Sequence, residues 1–213
     1  MAATAPAEVT NGIRDWWLRA VLVLSHPRAV FVALRDESSD SLSDRAEPIL
    51  LIVWLAGIAL VLDSAGHYFD TIGNDNVALA IWVFLAGGIY GGFGYFAFGA
   101  LVYWAARSLG SQGTYRRARQ VVAFAATPLV LSLVFWPFRI AIYGDALFES
   151  GGRDTGAGAA AFGVLEAAFG LWAAALLVVG IRAVHGWTWA RASAAAALAL
   201  GLPVLLAIAF AVG

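Results

Sequence analysis

Several residue types that carry chemistry in other proteins are missing from this chain of 213 residues. It has no cysteine, which excludes a disulfide framework, a thiolate metal site, a cysteine nucleophile and c-type haem attachment. It also has no lysine, so all thirteen basic residues are arginine, and the net charge of −1 favours no nucleic-acid partner. We therefore predict no catalytic, cofactor-binding or metal-binding residues, and a protein that is not an enzyme.

Charge of either sign is also scarce. Charged residues make up 13% of the chain, against about 25% in a typical soluble domain. Hydrophobic residues make up 62%, and the mean hydropathy is +0.80. Because the first long apolar run begins only near Pro48, we expect no cleavable signal peptide, and the first span acts as the insertion signal. The composition predicts a polytopic α-helical membrane protein.

Five apolar stretches are long enough to be membrane spans, because a bilayer core of about 30 Å needs about 20 apolar residues in a helix. The predicted spans are about 48–65, 77–106, 119–143, 157–183 and 190–212. The second span exceeds one perpendicular crossing, so we predict that it is tilted or kinked. Residues 48–213 thus form an all-α, five-helix transmembrane bundle.

The preceding segment, residues 1–47, is predicted to be cytoplasmic. Apolar residues three and four apart, from Ile13 to Leu24, predict an amphipathic helix within about 12–35, interrupted at Pro27. This helix either lies in the membrane interface, with Trp16 and Trp17 at headgroup level, or docks on the cytoplasmic ends of the bundle. The sequence leaves both arrangements open. Residues 36–47 form an acidic, serine-rich linker.

The arginines are distributed unevenly along the chain. Five lie before the first span, four between the second and third spans, and two between the fourth and fifth. Since cytoplasmic loops carry an excess of arginine, the N-terminus is predicted to be cytoplasmic, and five spans place the C-terminus on the other side of the plasma or inner membrane. The arginines between the second and third spans either only set this topology or also bind anionic lipid headgroups; they are Arg107, Arg116, Arg117 and Arg119.

Glycines at a spacing of four residues occur in the second span. The pairs are Gly87 with Gly91 and Gly88 with Gly92. Such small-residue pairs let two helix backbones approach closely, so they predict helix packing within the protein or in a homodimer.

Three charged residues fall in the non-cytoplasmic halves of the predicted spans: Glu166, Arg139 and Asp63. Intramembrane charges are costly and are functional candidates. They form either a proton- or ion-responsive cluster in an outward-facing cavity, or a structural ion pair, or the arginine extends to the lipid headgroups. Because three charges are few for a transport path, we favour a structural role.

One motif resembles a known family. Gly113-Thr-Tyr-Arg-Arg-Ala118, followed by Val121-Val-Ala-Phe and Thr127-Pro128-Leu, is similar to the Gly-Ser/Thr-Tyr-Arg-x-Ala … Tyr/Phe-Ala/Ser-x-x-Pro signature of the Yip (Ypt/Rab-interacting protein) family, in its bacterial, five-span form. The motif residues are Gly113, Thr114, Tyr115, Arg116, Ala118 and Pro128. The resemblance covers residues 22–212 and implies the fold and membrane topology of that family. Eukaryotic members carry a longer N-terminus thought to contact Rab GTPases; nothing here matches it, so a Rab partner is not supported.

Together these features predict a non-enzymatic membrane component, an adaptor or bilayer-organising protein, that contacts the lipid bilayer and a second copy or another membrane protein. The alternative is a small permease or channel with Glu166, Arg139 and Asp63 in its path. An intramembrane enzyme is kept as a third hypothesis only because Glu166 has no other explanation. A transporter predicts that Glu166 faces a solvent-connected cavity, whereas an adaptor predicts that it is paired in a tight bundle.

Overall fold

The computed structural model describes residues 18–35, 47–66, 68–73, 75–151 and 156–212, and these contain helices and turns but no β-strand. The prediction of an all-α membrane protein is confirmed. Residues 12–17 of the predicted amphipathic helix, with both of its tryptophans, and residues 36–46 of the linker lie outside the described residues.

The helices follow the chain in the order α1 (18–25), α2 (Pro27–Ala33), α3 (Glu47–Asp63), α4 (Tyr68–Ile72), α5 (Asn76–Phe93), α6 (Gly99–Ser108), α7 (Tyr115–Ala125), α8 (Thr127–Ser132), α9 (Trp136–Tyr143), α10 (Ala157–His185) and α11 (Trp189–Val212). A π-helical turn, Gly94–Phe98, joins α5 to α6. Two 3-10 turns, Leu133–Phe135 and Gly144–Phe148, flank α9.

Within the residues that the structure describes, three helical stretches are long and apolar enough to cross a membrane: Asn76–Ser108, Tyr115–Phe148 and Ala157–His185. A shorter apolar helix runs over Ile49–Asp63. They correspond in order to the second, third, fourth and first predicted spans. The full set of five spans stays a prediction.

The stretch Asn76–Ser108, which corresponds to the second predicted span, deforms after α5. Its hydrogen-bond register widens to the π form over Gly94–Phe98, and the helix then continues as α6. A π turn is a local widening that bends a helix without breaking it, and such turns are frequent at functional sites.

The arginines that follow this stretch lie on a helix, although the sequence analysis placed them in a loop. Helix α7 begins at Tyr115, because the Thr114 hydroxyl oxygen accepts a hydrogen bond from the Arg117 amide at 3.3 Å and caps the first turn. The arginines, alanines and glutamine that follow Thr114 are good helix formers. The basic stretch is therefore an ordered part of the bundle.

Two hydrophobic cores occupy opposite ends of the molecule. We call the end that holds the α2, α6, α7 and α10 arginines the arginine-rich end, and the end that holds Asp63, Asp70, Asp75 and Asp145 the acidic end. The larger core lies toward the arginine-rich end and includes Phe31, Phe124 and Ile181. The smaller core lies at the acidic end and is rich in aromatic residues, including Phe69, Trp136 and Phe148.

Helices α1 and α2 dock on the arginine-rich end. Val23 and Phe31 are fully buried, and the Phe31 ring packs where Gly180 of α10 leaves room for it. The other face of α1 exposes Leu18 and Val21, with half or more of each residue accessible. The described part of the segment thus packs on the bundle and keeps an apolar face free for a membrane interface or a partner.

Candidate functional site

Helix α10 contributes one half of an ion pair at the acidic end. Arg139 of α9 donates a hydrogen bond from Nη1 to Glu166 Oε1 of α10 at 2.7 Å. The two side chains are 15% and 28% exposed, and the Arg139 guanidinium carbon lies 4.8 Å from the centre of the Trp136 ring. The charges are therefore neutralised between two neighbouring helices and shielded by an aromatic ring.

Asp63 lies apart from this pair. It is the last residue of α3 and is exposed, and it does not line the small void beside Arg139 and Glu166. The structure thus brings together two of the three residues that the sequence analysis grouped.

The void beside the pair is too small for a transport path. Its volume is about 10 Å³, and Ser132, Trp136 and Phe162 line it with the two charged residues. A space of about 10–15 Å³ holds at most one water molecule. The described residues also contain no group of three or more His, Asp and Glu side chains that could hold a metal ion.

The glycines of α5 differ in their surroundings. Gly87 and Gly91 face α3, where Gly57 makes the closest approach: a Cβ atom on Gly57 would lie 2.7 Å from the Gly91 amide nitrogen. Gly88 faces the Trp54 ring, whereas no atom of the described residues lies within 4 Å of a Cβ atom on Gly92. One predicted pair, Gly87 with Gly91, therefore lies at a helix crossing inside the chain, and Gly92 stays open.

At the arginine-rich end, arginines hydrogen-bond to backbone carbonyl oxygens near helix C-termini. Arg35 donates from Nε to the Ala183 carbonyl of α10 at 2.8 Å, and Arg117 donates to the Leu34 carbonyl after α2 at 3.2 Å. Arg191 of α11 donates from Nε to the Leu109 carbonyl after α6 at 3.0 Å. These bonds satisfy carbonyls that a helix end leaves without partners, and they place positive charge at the negative end of the helix dipole.

The first residues of the family motif pack against the end of α10. A Cβ atom on Gly113 would lie 2.7 Å from Cε1 of His185. The Ser111 hydroxyl accepts from the Gly113 amide at 2.9 Å and lies 3.2 Å from Nδ1 of His185, whose ring packs on Trp187. Glycine is therefore the residue that fits between Ser111 and His185.

The next motif residues hold the π turn and the break after α7. The Tyr115 hydroxyl donates to the Phe96 carbonyl inside the π turn at 2.7 Å. Pro128 is fully buried in the first turn of α8, where its missing N–H has no partner to lose. Ala118 packs against the larger core, and Arg116 is exposed. The motif thus joins three elements of the fold.

Arg119 has surroundings that the sequence did not reveal. Its guanidinium carbon lies 5.2, 4.9 and 4.7 Å from the ring centres of Tyr95, Phe96 and Tyr115. Arg107 is exposed, with its guanidinium 5.9 Å from the Tyr103 ring. One feature of the sequence could have predicted this position. Arg119 shares a helix face with Val122 and Ala123, and that apolar face is expected to point toward the bundle rather than toward solvent.

A larger cavity of about 410 Å³ lies among α3, α5, the π turn, α7, α8 and α10. Its lining is almost entirely apolar and includes Leu60, Tyr90, Tyr95, Val122, Leu129 and Gly170. The residues that line it do not include Glu166, Arg139 or Asp63.

Comparison with curated proteins and with solved structures found no match to this chain. Comparison with protein families found that the family model of the Yip1 domain matches residues 21–211, nearly the whole sequence. The predicted membership is confirmed: this chain, a multi-pass α-helical membrane protein, belongs to the Yip1 domain family.

Proposed function

We propose that this chain is a non-enzymatic membrane component that acts as an adaptor or organises the bilayer around it. The observation that carries the proposal is the Arg139–Glu166 pair. Its 2.7 Å hydrogen bond and the void of about 10 Å³ beside it fit a structural pair and not a hydrated path. A carboxylate that is paired with a cationic side chain in a tight interface stabilises helix packing. Its charge is already neutralised without a transported ion.

The surfaces that such a component would offer are apolar and on the outside of the bundle. The exposed face of α1, with Leu18, Val21 and Leu22, is suited to a membrane interface or a partner helix. On α5, Gly92 leaves an open notch next to exposed Ile89 and Phe93, which suits close approach of another transmembrane helix. A second copy of the chain or another membrane protein could use either surface.

The proposed arrangement in the membrane has five spans, with residues 1–47 cytoplasmic and residues 48–213 forming the membrane domain. The arginine bias supports an orientation with the arginine-rich end in the cytoplasm of a plasma or inner membrane. Single cysteines can test it, because the chain has none of its own. In right-side-out vesicles, a membrane-impermeant maleimide should label Asp63→Cys and should spare Arg107→Cys until the vesicles are opened.

A small permease or channel remains the alternative function. It would need Glu166 to release Arg139 and face water. A proton-flux assay in proteoliposomes separates the two functions: the adaptor proposal expects no flux above that of protein-free vesicles, for wild type and Glu166→Gln alike. Flux that the wild type supports and Glu166→Gln abolishes would overturn the proposal in favour of transport.

The adaptor role itself is tested by photo-crosslinking in the native membrane. A photoreactive residue at Val21 or Gly92 should give a protein adduct of discrete mass, either twice that of the chain or that of one partner. The matched control is Ile81, an exposed residue of α5 more than two helical turns from Gly92, which should give lipid adducts alone. Lipid adducts alone at all three positions would remove the adaptor role.

A further inference from the structure

Arg119 is held in place by its stem and by its aromatic neighbours. Its Cγ atom would lie 2.5 Å from a Cβ atom on Gly99, so its methylene chain occupies the space that glycine leaves on α6. Its guanidinium then enters the ring cluster of Tyr95, Phe96 and Tyr115. The Tyr115 hydrogen bond to the Phe96 carbonyl fixes two of these rings relative to each other.

The hydrogen-bonding capacity of this guanidinium is not used up by the protein. The Arg119 Nε atom is buried and has no hydrogen-bond partner in the part of the chain that the structure describes. Aromatic faces attract a cation but supply no oxygen acceptor. The residue is nevertheless partly exposed, and half of Phe96 beside it is accessible. An arginine in this position is ready to bind an external anion, and its planar fork matches the geometry of a phosphate.

The apolar cavity begins directly beside Arg119. Val122, Ala123 and Ala126 line it, and they follow Arg119 at the three-, four- and seven-residue spacing of one helix face. Tyr95 belongs to both sites, since it lines the cavity and its ring contacts the Arg119 guanidinium. The backbone of Arg119 therefore lies about one helical turn, roughly 5 Å, from the first residues that line the cavity.

The other end of the cavity is open at the outside of the bundle. Leu60 of α3, Tyr90 of α5 and Gly170 of α10 line it and are exposed. Gly170 lies near the middle of the 29-residue helix α10, which is one of the stretches able to cross a membrane. An opening at this depth faces hydrocarbon rather than water, and a volume of about 410 Å³ is within the usual range of small-molecule sites, about 300–1,000 Å³.

We propose that these two features form one lipid site, in which Arg119 holds the phosphate of an anionic phospholipid and the cavity holds one of its acyl chains. A cation enclosed by aromatic rings near the arginine-rich end of the Tyr115–Phe148 stretch, with an apolar cavity beside it that opens to the side, matches the two parts of a phospholipid. A free phosphate would use only Arg119 and would leave the cavity empty. The site is independent of the proposed adaptor role, because it would bind lipid whether or not the chain has a protein partner.

The test is lipid binding to the purified, delipidated full-length chain, followed by native mass spectrometry. Phosphatidylglycerol and phosphatidylcholine with identical acyl chains are titrated separately. Wild type should retain phosphatidylglycerol about tenfold more strongly, a difference of about 1.4 kcal/mol. Arg119→Gln should remove that preference. Arg107→Gln, an exposed arginine at the same end, should keep it.

The acyl-chain part of the site has its own matched pair of variants on α10. Gly170→Leu should fill the cavity and weaken binding of both lipids about tenfold. Gly163→Leu is the control, because Gly163 is exposed with open space around it, as Gly170 is, but does not line the cavity. Both positions have room for the new side chain. This pair of variants therefore tests whether the cavity holds an acyl chain, even if Arg119→Gln fails to fold.

Three results of the lipid titrations would overturn the proposal, and a fourth comes from a competition experiment. The three are equal retention of the two lipids by wild type, an unchanged preference in a folded Arg119→Gln variant, and equal lipid binding by the Gly170→Leu and Gly163→Leu variants. Inorganic phosphate is added as a competitor in a separate arm. The proposal expects no displacement at equal concentration, and displacement would assign Arg119 to a free anion instead of a lipid.

Discussion

The two ends of the bundle hold their arginines in different ways. At the arginine-rich end, Arg35, Arg117 and Arg191 donate to backbone carbonyls that close helix ends. At the acidic end, Arg139 donates to the Glu166 carboxylate. A backbone carbonyl cannot be removed by substitution or neutralised by a proton. The arginine-rich end is thus fixed by its architecture, whereas the contact at the acidic end depends on two particular side chains.

The hydrophobic cores of the two ends also differ, and the core of the arginine-rich end is again the one that ties more of the fold together. The larger core binds α1 and α2 to the long helices through fully buried Val23 and Phe31. The smaller core packs aromatic side chains of short helices and turns around the ends of α3 and α5. We infer that the arginine-rich end forms a stable platform and that the acidic end is the part more easily altered by mutation.

The largest loss of stability is expected from a substitution at the crossing of α3 and α5, which connects the two ends. Gly91→Leu would force its side chain into the Val53 backbone, whose carbonyl carbon would lie 2.9 Å from the new Cβ atom. Overpacking against backbone should destabilise the protein by about 3 kcal/mol. Unfolding by SDS in mixed micelles measures the change. Gly92→Leu, one residue away with open space, should stay within about 0.5 kcal/mol of wild type. Equal losses would mean that the crossing is not where the structure places it.

A smaller effect is expected when the acidic end loses one partner of its pair. Glu166→Ala leaves Arg139 without its carboxylate partner, and the loss should be about 2 kcal/mol, between the values for exposed and buried pairs. The double variant Arg139→Leu with Glu166→Leu should recover to within about 1 kcal/mol of wild type, because apolar side chains can replace a buried pair. The same SDS unfolding assay measures both. Additive losses in the double variant would contradict the account of this end.

At the arginine-rich end, loss of one arginine is expected to lower the stability of α2 alone. Arg35→Gln removes the bond to the Ala183 carbonyl that ties α2 to α10, worth about 1.5 kcal/mol for a charged donor. Amide hydrogen exchange in α2 should become about tenfold faster, while exchange in α5 stays unchanged. Arg107→Gln is the control, because Arg107 is exposed beside the Tyr103 ring, and its effect should be under about 0.5 kcal/mol. Unchanged exchange in α2 would show that its apolar face alone holds it.

The helical membrane fold could be predicted from the sequence, because it depends on composition and on the length of each apolar stretch. Both can be determined without knowing which helices are in contact. The sequence analysis also grouped Glu166, Arg139 and Asp63, since all three fall at similar depth toward the same side of the membrane. The structure pairs Glu166 with Arg139 and places Asp63 apart from them. Depth along a helix could not predict this, because it says nothing about which side of the helix faces its neighbours. Asp63 lies at the same end but faces outward.

The cage around Arg119 and the cavity beside it depend on contacts between helices that are distant in the sequence. The glycine pairs show the same limit. The sequence predicted close packing for Gly87, Gly88, Gly91 and Gly92 together, but only the position of α3 distinguishes the two that face Gly57 from the open Gly92. Similarly, the arginines between the second and third spans looked alike in the sequence, yet Arg117 binds carbonyls, Arg119 lies among rings and Arg107 is exposed.

The central claim is that Arg139 and Glu166 form a structural pair with no water-filled path to it, and a thiol beside the pair tests this most directly. Ser132→Cys changes one atom in a buried residue that lines the void with Arg139 and Glu166, and it leaves the pair intact. In sealed vesicles, a water-soluble maleimide should leave Ser132→Cys unlabelled from either side, while Asp63→Cys reacts readily from one side. Rapid labelling of Ser132→Cys would reveal a water-filled path to Glu166 and would contradict the account in favour of transport.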